Sequence, residues 1–143
     1  METARIRDFE ADDFNAVVEL WKLIDLGNPQ RGDNLNIILQ SIAMGGKMLV
    51  AINQGNDLIG TSWMTFDGRR MHLHHFGVHP NFQRKGVGKL LVKESLRFVK
   101  QKGYQVKLEV HQSNTAAINL YRQAGFRFLG DYDVYIIRDI ETL

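Results

Sequence analysis

His79-Pro80-Asn81-Phe82-Gln83-Arg84-Lys85-Gly86-Val87-Gly88-Lys89 joins a strand-like stretch to a helical one, and its reading decides the fold. On one side, Met71 to Val78 has strand composition and Pro80 stops it. On the other, Val87, Leu90, Leu91, Phe98 and Val99 mark one face of a long helix that ends at Gly103. A helix start leaves outward-pointing N–H groups without partners and carries a positive dipole end. Gly86 and Gly88 let a bulky anion approach that main chain closely, so the segment fits a diphosphate. The same glycines would also serve a plain strand-to-helix turn. Two familiar phosphate loops fail here. A Walker A loop needs Gly at position 83 and Ser or Thr at position 90, where Gln83 and Leu90 stand. A dinucleotide fingerprint needs Gly at position 91, where Leu91 stands, and a parallel strand before it.

That strand is instead the last of three, Met48 to Asn53, Leu58 to Phe66 and Met71 to Val78, separated by turns at Gly55-Asn56-Asp57 and Asp67-Gly68. They predict an antiparallel meander. Upstream, Arg5 to Phe9 reads as a strand. Asp12 or Asp13 can then cap a helix with Phe14, Val17, Val18, Trp21 and Ile24 on one face, ended by Gly27 and Pro29. Asp33 or Asn34 can cap a second helix along Leu35, Ile38, Leu39 and Ile42, stopped by Gly45 and Gly46. Downstream of the long helix come a strand from Gln105 to Val110, a helix from about Asn114 to Ala124, and two last strands, Phe126 to Leu129 and Val134 to Arg138. The expected fold is α/β (α+β): a mixed, mostly antiparallel sheet of six or seven strands with about four helices on both faces.

With 143 residues, 44% hydrophobic, no repeat and no Pro- or Ser-rich linker, the chain reads as one domain over 1–143. A formal charge of +2 falls far short of the basic field that dominates nucleic-acid binding. The absence of Cys excludes disulfide scaffolds, thiolate metal sites and cysteine nucleophiles. The start of the chain lacks a signal-peptide pattern, and the best apolar run, Met48 to Ile52, is too short to span a bilayer. A cytoplasmic, soluble protein with no nucleic-acid and no membrane partner is expected, with a homodimer among the assemblies considered.

Gln83-x-x-Gly86-x-Gly88 after a strand resembles the GNAT superfamily of acyl-CoA-dependent N-acetyltransferases. The likeness begins at Phe76-Gly77-Val78-His79-Pro80 and resumes in Leu108-Glu109-Val110 and in Asn114-Thr115-Ala116-Ala117-Ile118-Asn119-Leu120-Tyr121-Arg122-Gln123-Ala124-Gly125-Phe126. It spans the second half of the chain and includes ribosomal-protein N-terminal alanine acetyltransferases among the relatives. The resemblance implies acetyl-CoA as co-substrate, no metal, and direct transfer to an amine, either a small molecule or a peptide N-terminus. A non-catalytic acyl-CoA-binding or regulatory module on the same fold is the alternative.

By that resemblance, the main chain of Phe76, Gly77 and Val78 pairs with the pantetheine arm and polarises the acetyl carbonyl. The loop of Gln83, Arg84, Lys85, Gly86, Val87, Gly88 and Lys89 holds the pyrophosphate. Asn114 binds the CoA arm and Tyr121 protonates the departing thiolate. A β-bulge in the strand before the loop belongs to the same pattern. The residues alone also allow Asn114 as a plain N-cap and Tyr121 as a core aromatic in the row Ala117, Leu120, Tyr121, Ala124. An alkylammonium with a pKa near ~10 must lose a proton before it attacks, and Glu109 matches the position of a catalytic Glu in some relatives. A solvated Glu109 paired with a Lys is the competing possibility. His72, His74 and His75 invite a metal, but no Cys or spaced carboxylate supports one, so a groove-lining proton relay is favoured. Eight basic residues between positions 79 and 107 against Glu94 alone read either as a solvated face or as a positive field that attracts the phosphate-rich CoA. The acidic excess in residues 1–33 favours a cationic acceptor.

Overall fold

The computed structural model describes residues 4–27 and 32–143. Among these, the strands are β1 (Ala4–Asp8), β2 (Lys47–Asn53), β3 (Leu58–Phe66), β4 (Met71–Val78) and β5 (Val106–Leu108). The helices are α1 (Phe14–Leu23), α2 (Leu35–Ala43), α3 (Val87–Lys102) and α4 (Thr115–Ala124). The sheet runs in chain order from β1 to β5, antiparallel through β4, with β5 parallel to β4. The α3 crossover makes that last pairing possible, since parallel neighbours need a long connection.

Six successive β2 residues, Met48 to Asn53, are buried, because both faces of this strand are covered. Met48, Val50 and Ile52 point into a core with Val17, Trp21 and Ile38 from α1 and α2. Leu49 points the other way, into a core with Met64, Leu73, Leu91, Val99 and Tyr121 beneath α3 and α4. Between β3 and α3 the apolar layer is interrupted once. The hydroxyls of Ser62 and Ser95 meet at 2.7 Å, both buried, and Ser95 Oγ also donates to the Leu91 carbonyl.

Two expectations change, at the first helix and at the end of the chain. The helical start after β1 is organised by Glu10, not by an Asp12 or Asp13 cap. Glu10 N–H donates to the Asp13 carboxylate at 2.8 Å, Asp13 N–H returns to the Glu10 carbonyl, and Arg7 clamps Asp13 from β1. The guanidinium beside it holds the Asp13 carboxyl below its usual range. At the second helix Asn34, one of the two expected caps, accepts from Ile37 N–H. Finally, Phe126 to Leu129 and Val134 to Arg138 form no strand, so the sheet has five strands among the described residues instead of six or seven. Strand propensity is realised only against an available edge, and these segments bond to none. Pro29, read as ending the first helix, lies outside the described residues, as do Asn28 to Arg31.

Candidate active site

The site begins where β4 loses its regular pairing. Thr61 faces Gly77 and Trp63 faces His74, so Ser62 alone opposes both His75 and Phe76, which is a β-bulge. His75 carries it with φ of 45°, a left-handed conformation unusual for a side-chain-bearing residue. The strain is held from both sides. Thr61 Oγ1 donates to the His75 carbonyl at 2.7 Å and accepts from the Trp21 indole N–H at 2.9 Å. The His75 ring packs against both Trp21 and Trp63, with Nε2 3.2 Å from an Asp33 carboxylate oxygen and Nδ1 buried without a partner among the described residues.

On its other side β4 pairs with β5 only from Met71 to Leu73. From His74 to Val78 that edge is open, and the strands part into a slot beside Phe76, Gly77 and Val78. Gly77 lets α1 approach closely: a Cβ there would stand 2.5 Å from Ile24 Cδ1 and 3.2 Å from Leu26 Cδ1, so both side-chain ends would have to shift. The end of α1 is therefore seated directly on the bulged strand.

At the far end of β4 the Gln83 side chain turns back and donates from Nε2 to the Val78 carbonyl at 2.9 Å, fixing the loop to the strand. Gly86 caps α3 with φ of 88° and Arg84 adopts φ of 62°. The first helical bond runs from Leu90 N–H to the Gly86 carbonyl, and none of the N–H groups from Arg84 through Lys85, Gly86, Val87, Gly88 and Lys89 meets an acceptor among the described residues. This row of donors at the positive end of a 16-residue helix has the geometry to cradle an anion. Gly88 brings it against α4, since a Cβ there would touch Leu120 at 3.4 Å. An open groove of about 320 Å³, with Lys89, Lys93 and Gln123 on its rim, continues between α3 and α4.

Tyr121 joins the two halves. Its ring packs edge-on against Phe76 of the open strand and against Phe126, both at 5.7 Å, and burial pushes its phenol up to about 12. Its hydroxyl makes no hydrogen bond to another described residue. Asn114 caps α4, accepting from Ala117 N–H at 3.2 Å, and is exposed. Asn114 is thus a cap and Tyr121 a core aromatic, as the residues alone allow, and Tyr121 also touches Phe76 on the open strand. Glu109 follows β5 directly, solvent-exposed and in no ion pair among the described residues.

The histidine rings stand side by side, His72 and His74 5.9 Å apart and His74 and His75 6.5 Å apart, but each bonds a different partner. His72 reaches Asp67 at 3.2 Å, His74 reaches Thr65 at 2.8 Å and His75 reaches Asp33. His74 is pushed down to about 4, chiefly by the protein mass around its ring and then by His75 and His72. No group of three metal-ligating side chains occurs among the described residues. Sequence inspection missed Thr61, Trp21 and the Asp33–His75 pair. A threonine at an inward-facing strand position was the available signal for the first; nothing local announces a bulge.

Comparison with known proteins agrees with this geometry. Residues 10–126 match the acetyltransferase (GNAT) family. An acetyltransferase of Pectobacterium atrosepticum, ECA0875, is 30% identical over 119 residues, covering 82% of this chain and 84% of that protein. Two solved structures share the fold. The ribosomal-protein-S18-alanine N-acetyltransferase of Escherichia coli superposes with a TM-score of 0.69 at 22% identity, covering 87% of this chain and 78% of that one. The aminoglycoside antibiotic 6'-N-acetyltransferase AAC(6')-Ih of Acinetobacter baumannii gives 0.72 at 17% identity, covering 96% of this chain and 99% of that one. With its cradle, its open strand and this match over most of its length, the chain belongs to the acetyltransferase (GNAT) family and is an acetyl-CoA-dependent acetyltransferase.

Proposed function

We propose that the enzyme acetylates a primary amine by direct transfer, with the amine and acetyl-CoA bound together and no covalent enzyme intermediate. The observation that carries this reading is the alignment of three features on one side of the sheet. These are the free amide row at residues 84–89, the open β4 edge at Phe76 to Val78, and the Tyr121 ring packed on Phe76 between them.

Acetyl-CoA supplies the acetyl thioester and a diphosphate. The amides of Arg84 to Lys89 hold the diphosphate, while Gln83 fixes the loop without itself being free to bind. The free main chain of Phe76 to Val78 aligns the acyl arm and orients the carbonyl. Tyr121, kept protonated by burial, donates its proton as the carbon–sulfur bond breaks and the carbon–nitrogen bond forms. The amine's proton goes to Glu109, the free carboxylate at the end of β5. The acidic early part of the chain, with Asp33 at the start of α2, draws a cationic acceptor to the α1–α2 side of the bulge. Among the compared proteins one acts on a ribosomal protein alanine and another on aminoglycosides. Both acceptors are amines, and a peptide N-terminus or a small polyamine-like substrate fits this charge pattern.

Thiol release from acetyl-CoA against a panel of amines, amino acids and N-terminal peptides tests the proposal. Release above the hydrolysis background with at least one amine, and acetylation of that amine by mass spectrometry, is the expected result. Acetylation only of hydroxyl acceptors would overturn it.

A further inference from the structure

The bulge in β4 puts two successive side chains on one face of the sheet. His74 and His75 both reach Trp63 on the side that α1 and α2 cover, while Phe76 turns to the other side and packs on Tyr121. His75 then touches several elements at once. Its ring contacts Trp21 of α1 and Trp63 of β3, and a Cβ on Gly27, just beyond α1, would stand 3.3 Å from its Cδ2. Its Nε2 lies 3.2 Å from the carboxylate of Asp33, just before α2. Nδ1 is buried with no partner among the described residues, and a proton there would be a buried donor without an acceptor. The hydrogen-bond pattern therefore assigns the proton to Nε2, where Asp33 accepts it.

The same histidine aims a peptide. In a trans peptide the carbonyl and the N–H point in opposite directions. The His75 carbonyl points at Thr61 of β3, so the Phe76 N–H of that peptide points away from β3, toward the open β4 edge and the slot. Its direction depends on the left-handed backbone of His75, a conformation that a side-chain-bearing residue keeps only where its surroundings hold it.

We propose that Asp33 and His75 form a positioning pair for acetyl transfer: the Asp33 carboxylate fixes the His75 ring, the fixed ring holds the left-handed turn, and the turn aims the Phe76 N–H at the acetyl carbonyl. The inference rests on the reading of β4 as the strand that orients the acyl arm. Asp33 then has two separable properties. Its charge draws a cationic acceptor, whereas its hydrogen bond to His75 sets the geometry of the strand on which the acetyl group lies.

The test reads the carbonyl itself. Infrared difference spectra of the full chain with acetyl-CoA, unlabelled against 13C-labelled at the carbonyl, isolate the thioester stretch. The wild-type band is expected below that of free acetyl-CoA. In Asp33→Ala it moves back toward the free value, and in Asp33→Asn, whose amide oxygen still accepts from Nε2–H, it stays in place. With the primary amine that gives the fastest thiol release, Asp33→Ala lowers kcat on the order of ten- to a hundredfold and leaves KM for acetyl-CoA nearly unchanged. Asp33→Asn keeps most of kcat and raises KM for the amine. Near-ultraviolet circular dichroism checks folding, and Asp33→Leu, similar in shape and without an acceptor, repeats the comparison if the alanine variant loses its fold. A shifted band that is the same in wild type and Asp33→Ala would overturn the pair and leave the role of β4 standing. An unshifted wild-type band would overturn both. Equal loss of kcat in Asp33→Asn and Asp33→Ala would make the charge decisive and overturn the pair.

Discussion

At Tyr121 a residue's packing and its chemistry are the same fact. The burial that makes it a core aromatic also holds its phenol protonated up to about 12, so it is a proton donor across the neutral range. Tyr121→Phe keeps the ring contacts with Phe76 and Phe126 and removes only the proton. Turnover should fall on the order of ten- to a thousandfold with acetyl-CoA affinity nearly unchanged, measured as kcat and by calorimetry. His74 gives a prediction of the opposite kind. Its imidazole falls from an ordinary 6.5 to about 4 on folding, so between these values the unfolded chain binds more protons than the native one. Its contribution to stability is therefore complete above pH 6.5 and is lost as pH falls toward 4. Urea denaturation from pH 7 to pH 4.5 should show a slope that His74→Gln reduces; an unchanged slope would assign the acid sensitivity elsewhere. That Asn114 could cap α4 and that Tyr121 lies in its apolar row were legible from the helical period. His75 was not, since its role comes from a left-handed φ that arises only when β3 and β4 meet.

The same contrast holds among elements. The amide cradle could be read locally, because a proline, two glycines and a helical apolar face stand together in eleven residues. The bulge is a product of two strands, and its support by Thr61 crosses from α1 through β3 to β4. Thr61→Val preserves shape but leaves the buried Trp21 indole N–H without an acceptor and the His75 carbonyl without a donor. A loss of about 1–3 kcal/mol is expected from urea unfolding, together with weaker acetyl-CoA binding as the strand relaxes toward regular pairing. Unaltered stability and affinity would show that the strain at His75 is held by the aromatic rings alone. The last two expected strands failed for a related reason. Alternating apolar residues specify which face a strand would show, not which neighbour it will find, and in this chain the available edge is only three residues long.

Over the whole molecule, the acidic early segment and the basic α3 half lie on opposite sides of the sheet, and the slot opens between them. If the cradle and the open strand act together, CoA should stabilise the fold by mass action and ATP should not, since ATP offers phosphates but no pantetheine arm. At a hundredfold excess over Kd, CoA should raise Tm by about 5–10 °C. An equal rise with ATP would reduce the site to a general phosphate cradle. The buried hydroxyl contact between Ser62 and Ser95 sets a limit on how this whole can move. An apolar interface tolerates a helix rotating or sliding by small steps, because one methyl replaces another. A pair of hydroxyls sealed from water does not, as rotation of α3 about its axis carries Ser95 away with its own Leu91 carbonyl and leaves the buried Ser62 hydroxyl without its partner. The contact indexes the helix to β3 as a key indexes a shaft, and the amides two turns upstream inherit that angular setting without touching it.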